Sequence, residues 1–552
     1  MMTPSKDSEF SERARPLVVA ALLAVMVLVS VAVIHQSRGS LAWFDEWGFI
    51  TDRRGWSVDT FLRPTNGHLF AVPLLLYKAL LAVAGLTHHW VFITVLLAIH
   101  LIIGLGVFVF SRRRVGDLGA LIAASLVLVC FASPDNLLWA AQFGYMLAVA
   151  FGVWMLVCLD RDDTAGDVLA ALFLAGALAS SAFGPPFVVA AAVVIGFDQR
   201  RWRRAWVVAV PLLLFALWYS AYGVSGMNLS NLPQVPAYVA EMGSNALGGL
   251  SGLGISYGRP LLLVLVAAVV VRLAAPRRAA VWLIALVATL LALWGLTALN
   301  RIGIVTPTAL RYIYPGAVLV VLLVAELCRG RQLSNPAAVI ALLLVLAAGL
   351  SNYAVLGQYG AAQRALAANL RARLGALALV QADVAPSFRP APRIDPVLDA
   401  GGAAIAQRDF GTIALSAKEL QSASPAQRTA ADAMLIQSGQ VKAVLSAKLT
   451  GTKPRLLSMR GARALPSGSC LEIRPTRAAL VDVALPSPGG LVAQSSQPVP
   501  VFLRRFAGRV APRPSLTLPA NSPTVITAAG SAVSSGWVVQ LRPSAPLKLC
   551  RR

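Results

Sequence analysis

Two adjacent carboxylates, Asp45 and Glu46, are well suited to acid–base chemistry. They lie in "SLAWFDEWGFITDRRGW" (Ser40–Trp56), which follows a long apolar run, and aromatic residues flank them on both sides: Trp43, Phe44, Trp47 and Phe49. A carboxylate held against apolar surface has its pKa raised toward the range useful for a general base. The pair therefore predicts a general base, and a solvated helix cap is the alternative interpretation.

The elements around this pair belong to a membrane protein. The chain has 552 residues, of which 57% are hydrophobic and 13% charged, and soluble domains carry about twice that charge density. Apolar runs such as Leu17–Ile34 are long enough to cross a bilayer core. Because that run lacks a small-residue cleavage site and further runs follow it, we interpret it as a retained helix rather than a signal peptide.

The Lys and Arg residues of short loops set the orientation of such a protein. If Leu69–Ala84 lies at the membrane interface, as its Pro73 and Lys78 favour, four basic clusters become cytoplasmic: Ser111–Arg114, Asp198–Arg204, Arg272–Arg278 and Cys328–Gln332. The alternative, in which Leu69–Ala84 spans, places all four outside. We predict eleven spans with the N-terminus in the cytoplasm and the C-terminus outside, and a re-entrant Phe187–Phe197 would change the count by two.

This topology brings four segments to the outer face: Ser37–His89, Ser133–Ala140, Gly223–Arg259 and Asn300–Arg311. The predicted domains are a cytoplasmic N-terminus (1–16), a transmembrane domain (17–355) with its first external loop at 37–89, a helical and mixed extracytoplasmic region (356–452) and a β-rich extracytoplasmic domain (453–552). The high Ala and Arg content is typical of a GC-rich bacterium, so the expected location is the bacterial plasma membrane.

The C-terminal third is strongly basic. From residue 355 onwards it holds 24 Lys and Arg against 8 Asp and Glu, and so carries +16 of the total +24. Such a charge predicts an acidic partner, either lipid headgroups or a phosphate-bearing polymer rather than nucleic acid. After Lys453, short β-type runs separated by Pro, Gly and Ser predict a β-sandwich or jelly roll. Cys470 and Cys550 lie at the ends of such runs, where a disulfide can persist outside the membrane.

Several short motifs resemble those of the GT-C glycosyltransferases, which use sugars linked to polyprenyl phosphate. The motifs are "FDEW" (Phe44–Trp47), "NGHLFAVPLLLYKAL" (Asn66–Leu80) and "RYIYP" (Arg311–Pro315), and the "SPDNLLWAAQ" turn (Ser133–Gln142) resembles one bacterial branch. Their order is similar to that in protein O-mannosyltransferases, aminoarabinose transferases and mycobacterial arabinosyltransferases. The resemblance covers roughly residues 15–355 and implies a helical membrane fold and glycosyl transfer.

The resemblance also implies roles for particular residues. One base suffices for transfer from a lipid phosphate, because the leaving group is itself a weak base; Asp45 takes that role and Glu46 is second. Cations at the outer face would bind the donor phosphate, namely Arg311, Lys78, Arg301, Arg259 and Arg63. Arg53 and Arg54 stay open between donor phosphate and lipid headgroup. Substrate contacts are expected from His68, Asn66, Trp139, Gln142 and Tyr312.

The chain departs from that branch at Gly67, where an acidic residue is common, so a second carboxylate for catalysis or metal binding is absent there. We predict no metal site, and a divalent cation stays an alternative. The expected partners are a polyprenyl-phosphate sugar, a cell-envelope glycan or lipid acceptor and membrane lipids. A transporter or flippase, or a non-catalytic scaffold of the same fold, remains an alternative to the enzyme.

Overall fold

The computed structural model describes residues 6–274, 281–445, 448–529 and 535–552. The chain divides into two units, which we call the membrane unit (Met1–Ala42 and Arg53–Gln363) and the C-terminal unit (Trp43–Asp52 and Arg364–Arg552). Part of the predicted N-terminal segment (residues 1–5) and part of the basic cluster Arg272–Arg278 (residues 275–278) lie outside the described residues. The short segment around Asp45 therefore belongs to the unit formed by the last third of the chain.

Helices account for most of the structure. In chain order they are α1 (Lys6–Ser37), α2 (Asp45–Thr51), α3 (Val58–Leu62), α4 (Ala71–Ala84), α5 (Trp90–Leu128), α6 (Asp135–Leu138), α7 (Phe143–Leu159), α8 (Thr164–Leu178), α9 (Pro185–Gly196), α10 (Arg201–Arg204), α11 (Trp206–Tyr222), α12 (Val235–Ser251), α13 (Ile255–Ala274), α14 (Val281–Arg301), α15 (Ile313–Leu327), α16 (Asn335–Ala378), α17 (Ala400–Phe410), α18 (Ala417–Ser422) and α19 (Pro425–Gln437). Short 3-10 turns lie at Ala140–Gln142, Leu229–Gln234, Leu310–Tyr312 and Gln381–Asp383.

Within the described residues, eight helices are long and apolar enough to cross a membrane. They are Arg15–Ser37, Trp90–Leu128, Ala140–Leu159, Arg201–Tyr222, Ile255–Ala274, Val281–Arg301, Leu310–Leu327 and Asn335–Ala378. Shorter apolar helices cover Ala71–Ala84, Thr164–Leu178 and Pro185–Gly196. The chain is thus a multi-pass membrane protein, and the count of eleven spans stays a prediction.

Helix α5 is too long for one span. Its 39 residues would measure roughly 58 Å, about twice the thickness of a bilayer core. Gly116, with φ 75° and ψ −179°, breaks the helical geometry and separates α5 into two arms. These arms correspond to the two predicted spans Trp90–Phe110 and Leu118–Ala132, joined at the basic residues that precede Gly116.

One of those basic residues, Arg114, lies in a buried ion-pair network at one end of the bundle, which we call the inner end. The Arg114 side chain is fully buried, and it donates to Glu326 of α15 (2.6 Å) and to Asp160 at the end of α7 (3.1 Å). The backbone N–H of Gly330 donates to the Arg114 carbonyl. The predicted clusters Ser111–Arg114 and Cys328–Gln332 therefore meet at this end.

The third basic cluster reaches the inner end as well. Arg204 pairs with Asp167 of α8 and with Asp162 in the turn after α7. Asp162 is two residues from Asp160, so both networks share one short turn. Three of the four clusters predicted to be cytoplasmic thus lie together, and the side of the membrane that they face stays a prediction.

Helix α12 occupies a segment that the sequence analysis treats as an external loop. Glu241, Ser244 and Asn245 interrupt its apolar character, so no span is apparent from the sequence. The helix packs against α13, α14 and α15, and a Cβ at Gly258 would lie 1.8 Å from the carbonyl oxygen of Ser244. Glycine at position 258 is what allows α12 and α13 to cross this closely.

The C-terminal unit contains helices α17–α19 and an antiparallel sheet of nine strands. The strands are β1 (Val441–Leu445), β2 (Leu456–Ser467), β3 (Cys470–Ala484), β4 (Gly490–Ser495), β5 (Val499–Arg504), β6 (Leu516–Leu518), β7 (Thr524–Ala528), β8 (Val538–Leu541) and β9 (Leu547–Arg551). Their order is β1-β7-β4-β9-β3-β8-β5-β6, with β2 paired to β3. This is a β-rich region, and its assignment as a jelly roll stays a prediction.

Two links hold this unit together. The Asp432 carboxylate of α19 accepts the backbone N–H groups of Arg505, Phe506 and Ala507, which follow β5, and so attaches the helix to the sheet. A disulfide joins Cys470 and Cys550, the pair that the sequence suggests. The predicted domain boundary at 355 falls inside α16, which continues without a break to Ala378.

We expect Arg114→Met to lower the free energy of unfolding by about 3–5 kcal/mol, because it removes the buried cation between Glu326 and Asp160 and leaves each with only a partly exposed arginine, Arg329 or Arg113. Thermal unfolding in detergent micelles measures the loss. The matched control is Arg113→Met: the Arg113 side chain is 46% exposed and pairs with Asp160, so its removal should cost less than about 1 kcal/mol. Equal losses in the two variants would contradict a special role for the buried arginine.

Candidate active site

A tight turn displays the "NGH" stretch (Asn66–His68) on the first loop of the membrane unit. Thr65 and His68 exchange backbone hydrogen bonds of 3.0 and 3.1 Å, and the two residues between them, Asn66 (φ 50°) and Gly67 (φ 86°), both have left-handed backbones. This combination is the type I′ turn, which favours Asn-Gly. The left-handed backbone at position 67 therefore explains why this residue is glycine, since an acidic residue there would be strained.

Two cations hold this loop in place. Arg53 is buried and donates to the Thr60, Arg63 and Pro64 carbonyls and to the Thr65 hydroxyl. Lys78 donates to the carbonyls of Arg53 and Gly55, the latter at 2.6 Å. Both side chains thus bind backbone oxygens of the loop. The sequence does not decide whether Arg53 binds the donor phosphate or a lipid headgroup. In the structure its contacts hold the backbone of the loop in place.

The turn opens onto a cavity of about 330 Å³ in the membrane unit. Its walls come from distant parts of the chain: the turn itself, the start of α7, the "FGP" bend before α9, the end of α11 with residues 224–227, the end of α14 and the 3-10 turn before α15. We call this end of the bundle the outer end. Predicted site residues among the lining side chains are Asn66, His68, Arg301 and Tyr312.

Aromatic rings form much of the wall. The ring centroids of Tyr145 and Phe183 are 4.3 Å apart, and those of Phe183 and Tyr312 are 6.4 Å apart. Trp218 and Tyr219 of α11 also line the cavity, and Trp218 Nε1 donates to the Leu62 carbonyl at 2.8 Å. Of these aromatic residues only Tyr312 is predicted from the sequence, although aromatic side chains near the end of a span are a signal of the membrane interface.

Charge at the cavity comes from arginine. Burial and then Arg301 lower the pKa of His68 to about 4, against a hydrogen bond with the Asn66 backbone that raises it. His68 is therefore neutral at physiological pH and can donate one hydrogen bond and accept another. The Arg301 guanidinium stays cationic beside it, which makes this part of the cavity suited to an anion.

Arg311 lies next to the cavity wall. Its guanidinium is 5.5 Å from the ring centroid of Tyr312, and it also faces Asp135. Burial raises the pKa of Asp135, whereas a hydrogen bond from Tyr359 and the charge of Arg311 lower it. The Ser133 hydroxyl donates to the Leu310 carbonyl, which joins the turn before α6 to the 3-10 turn that carries Arg311.

Other predicted residues lie apart from the cavity. Trp139 and Gln142 are buried in the segment between α6 and α7 and are not among its lining residues. Arg259 pairs with Glu241 at 2.9 Å, and the Arg63 carbonyl accepts from Arg53. Of the residues predicted to contact donor or substrate, the structure thus brings together Asn66, His68, Arg301 and Tyr312, with Arg311 beside them.

The candidate base lies in the C-terminal unit. Helix α2, which begins at Asp45, packs against α17. Asp45 is half-buried and Glu46 is fully buried, so Asp45 is the more accessible of the two. Phe44, directly before the helix, has φ 52° and ψ −119°, a conformation that costs free energy in a non-glycine residue. Strained backbone of this kind concentrates at functional sites.

Asp395 holds the strained residue. Its Oδ2 accepts the backbone N–H of Phe44 at 3.1 Å. Burial raises the pKa of Asp395 to about 7 and the neighbouring Glu46 charge adds to the rise, while hydrogen bonds from the Phe44, Leu398 and Val397 amides lower it. The sequence offers no signal for this contact, because 351 positions separate the partners.

Within the described residues, no group of three or more His, Cys, Asp or Glu side chains could hold a metal ion. The lack of a metal site and the alternative of a divalent cation both stay predictions.

A comparison with solved structures finds a mycobacterial membrane enzyme among its matches. No family model matches the chain, and no curated protein matches it. The structure of the arabinosyltransferase EmbB from Mycobacterium smegmatis aligns with a TM-score of 0.32 and 11% identity, over 96% of this chain and 64% of that chain. The chain thus spans less than two thirds of the length of EmbB. A TM-score of this size is too low to establish a shared fold.

Asp395 predicts a pH-dependent stability. Because its pKa is raised from 3.8 to about 7 in the folded protein, its contribution is complete below about pH 4 and is lost as the pH rises through 7. We expect the Tm of the purified protein to fall between pH 5 and about pH 7 through this group, and Asp395→Asn to flatten the profile. The exposed Asp383 gives the control Asp383→Asn, which should keep the wild-type slope. An unchanged slope in Asp395→Asn would contradict the assignment.

Proposed function

We propose that the chain is a membrane glycosyltransferase of the GT-C type, which moves a sugar from a polyprenyl-phosphate donor to an acceptor in the cell envelope. The observation that supports this most is the outer cavity, in which His68 and Arg301 face aromatic walls and Arg311 lies alongside. Sugar rings and isoprenoid chains both pack on aromatic faces, and guanidinium groups bind phosphate oxygens. The eight apolar helices and the motif order of the first 355 residues agree with this class.

In the proposed reaction, a hydroxyl oxygen of the acceptor forms a bond to the anomeric carbon of the donor sugar. The bond between that carbon and the phosphate oxygen breaks, and the lipid phosphate leaves with the electron pair. Asp45 accepts the hydroxyl proton, so charge and atoms balance with one base. No general acid is required, because the phosphate leaves as a stable anion, whereas a glycoside hydrolase needs two carboxylates.

Each residue of the cavity has a part in this proposal. Arg301 and Arg311 would bind the donor phosphate, and the neutral His68 and Asn66 would hydrogen-bond to sugar hydroxyls. Tyr312 and the other aromatic residues would exclude water around the anomeric carbon. Lys78 and Arg53 would act indirectly, through the loop that they hold. The proposed location is the bacterial plasma membrane, with the cavity facing the cell envelope.

The direct test of the base is Asp45→Asn, assayed in membranes with a radiolabelled polyprenyl-phosphate sugar. Loss of a general base should lower kcat by about 100- to 10,000-fold, with little change in KM for the donor. Glu46→Gln is the matched comparison and should leave more activity, since Glu46 is fully buried. Wild-type rates in Asp45→Asn would contradict its role. If the wild-type protein transfers no sugar from any such donor, the non-catalytic scaffold becomes the better interpretation.

The phosphate site is tested by Arg311→Gln and Arg301→Gln in the same assay. Removing a charge-assisted hydrogen bond costs about 1.5–3 kcal/mol, so we expect kcat/KM for the donor to fall by about 10- to 100-fold. The control is Arg161→Gln at the inner end, where the arginine is exposed and pairs with Asp163. Equal rates in all three variants would exclude these two arginines from donor binding.

A further inference from the structure

The C-terminal unit contains a second, separate cavity. It has a volume of about 410 Å³ and is lined by Arg373 near the end of α16, by Ala391, Pro392, Arg393 and Ile394 of the following loop, and by Gln437 at the end of α19. This volume lies in the range of small-molecule sites. None of the lining side chains is acidic, and two are arginines.

The first arginine is held rigidly. Arg373 Nε donates to Asn369 Oδ1 at 2.8 Å, and Nη1 donates to the Pro390 carbonyl at 2.9 Å. Its other amino group, Nη2, has no hydrogen-bond partner in the part of the chain that the structure describes. A guanidinium fixed by two bonds and with donors to spare is pre-organised for an oxyanion.

The second arginine adds an uncompensated charge. Arg393 is exposed, and it makes no ion pair with any residue of the described ranges. Burial and the charge of Arg393 both lower the pKa of Arg373, so the two cations are close enough to repel each other. Asp395 does not neutralise them, because its carboxylate binds the Phe44 backbone instead.

Other arginines of the same unit have acidic partners. Arg504 pairs with Asp482, Arg474 with Glu472 and Arg408 with Asp409. Two neighbouring guanidinium groups repel each other, and an anion bound between them would relieve that repulsion. A repulsion that lowers stability is commonly retained in a protein because the residues serve a function.

We propose that this cavity binds a phosphoryl group, carried by a membrane lipid or by a soluble phosphate-bearing glycan. The two guanidinium groups bind the phosphate oxygens, and Ala391, Pro392 and Ile394 contact the carbon skeleton to which the phosphate is attached. The site is independent of the proposed transferase reaction, because it requires neither Asp45 nor the outer cavity.

The test uses the purified full-length protein in detergent and titration with sn-glycerol 3-phosphate by isothermal calorimetry. We expect saturable binding to the wild-type protein and an affinity at least about tenfold lower in Arg393→Gln, since a charge-assisted contact is lost. The matched control is Arg474→Gln, which removes the same charge from the same unit outside the cavity and should bind as the wild type does. Arg393 is exposed, so its replacement should not disturb folding.

Thermal unfolding gives a second readout. Arg393→Gln removes the repulsion on Arg373, so the Tm without ligand should stay equal or rise, and the increase in Tm on adding glycerol phosphate should disappear. In nanodiscs, a rise in Tm with phosphatidylglycerol but not phosphatidylcholine, abolished by Arg393→Gln, would identify a lipid as the source. Equal responses of Arg393→Gln and Arg474→Gln, or no binding of either phosphate form, would overturn the proposal.

Discussion

A buried arginine that must be paired determines how the bundle is arranged. Inside a membrane protein an unpaired charge has neither water nor lipid to stabilise it, so Arg114 can be buried only where Asp160 and Glu326 reach it. That requirement brings α5, α7 and α15 together at the inner end. Because helices are stiff, their opposite ends are then positioned too, and they supply Tyr145 and Tyr312 to the cavity wall. Charge pairing at one end thus supports the site at the other.

The basic side chains of the membrane unit serve two purposes. Arg53 and Lys78 are surrounded by backbone carbonyls, which satisfy their donors and fix the loop. Arg301 and Arg311 lie instead beside a cavity and aromatic rings. Lys78 lies within an apolar segment and the three arginines lie in loops or at helix ends, but their neighbours in sequence do not distinguish a clamp from a ligand. The difference arises from the folded path of the loop.

Local patterns predicted much of the architecture. The apolar runs correspond to helices, the break at Gly116 separates two predicted spans, and the β-type runs predicted after Lys453 overlap strands β3, β5, β7, β8 and β9. The misses have physical reasons. Helix α12 is not predicted because its burial depends on small residues rather than on a continuous apolar stretch. Strand β2 is not predicted because its exposed face is rich in polar side chains. The contact between Phe44 and Asp395 depends on chain topology alone.

The division of the chain has a consequence for biosynthesis. Residues Trp43–Asp52 belong to the C-terminal unit, although the residues on both sides of them belong to the membrane unit. At about 5–20 residues per second, the ribosome needs roughly 20–70 s to proceed from Phe44 to Asp395. During that interval the segment with the candidate base waits for its partners while neighbouring helices are already inserted. A nascent chain that stops before Asp395 therefore lacks the contact that holds the segment with Asp45 in place, and maturation of the site is delayed until Asp395 has been translated.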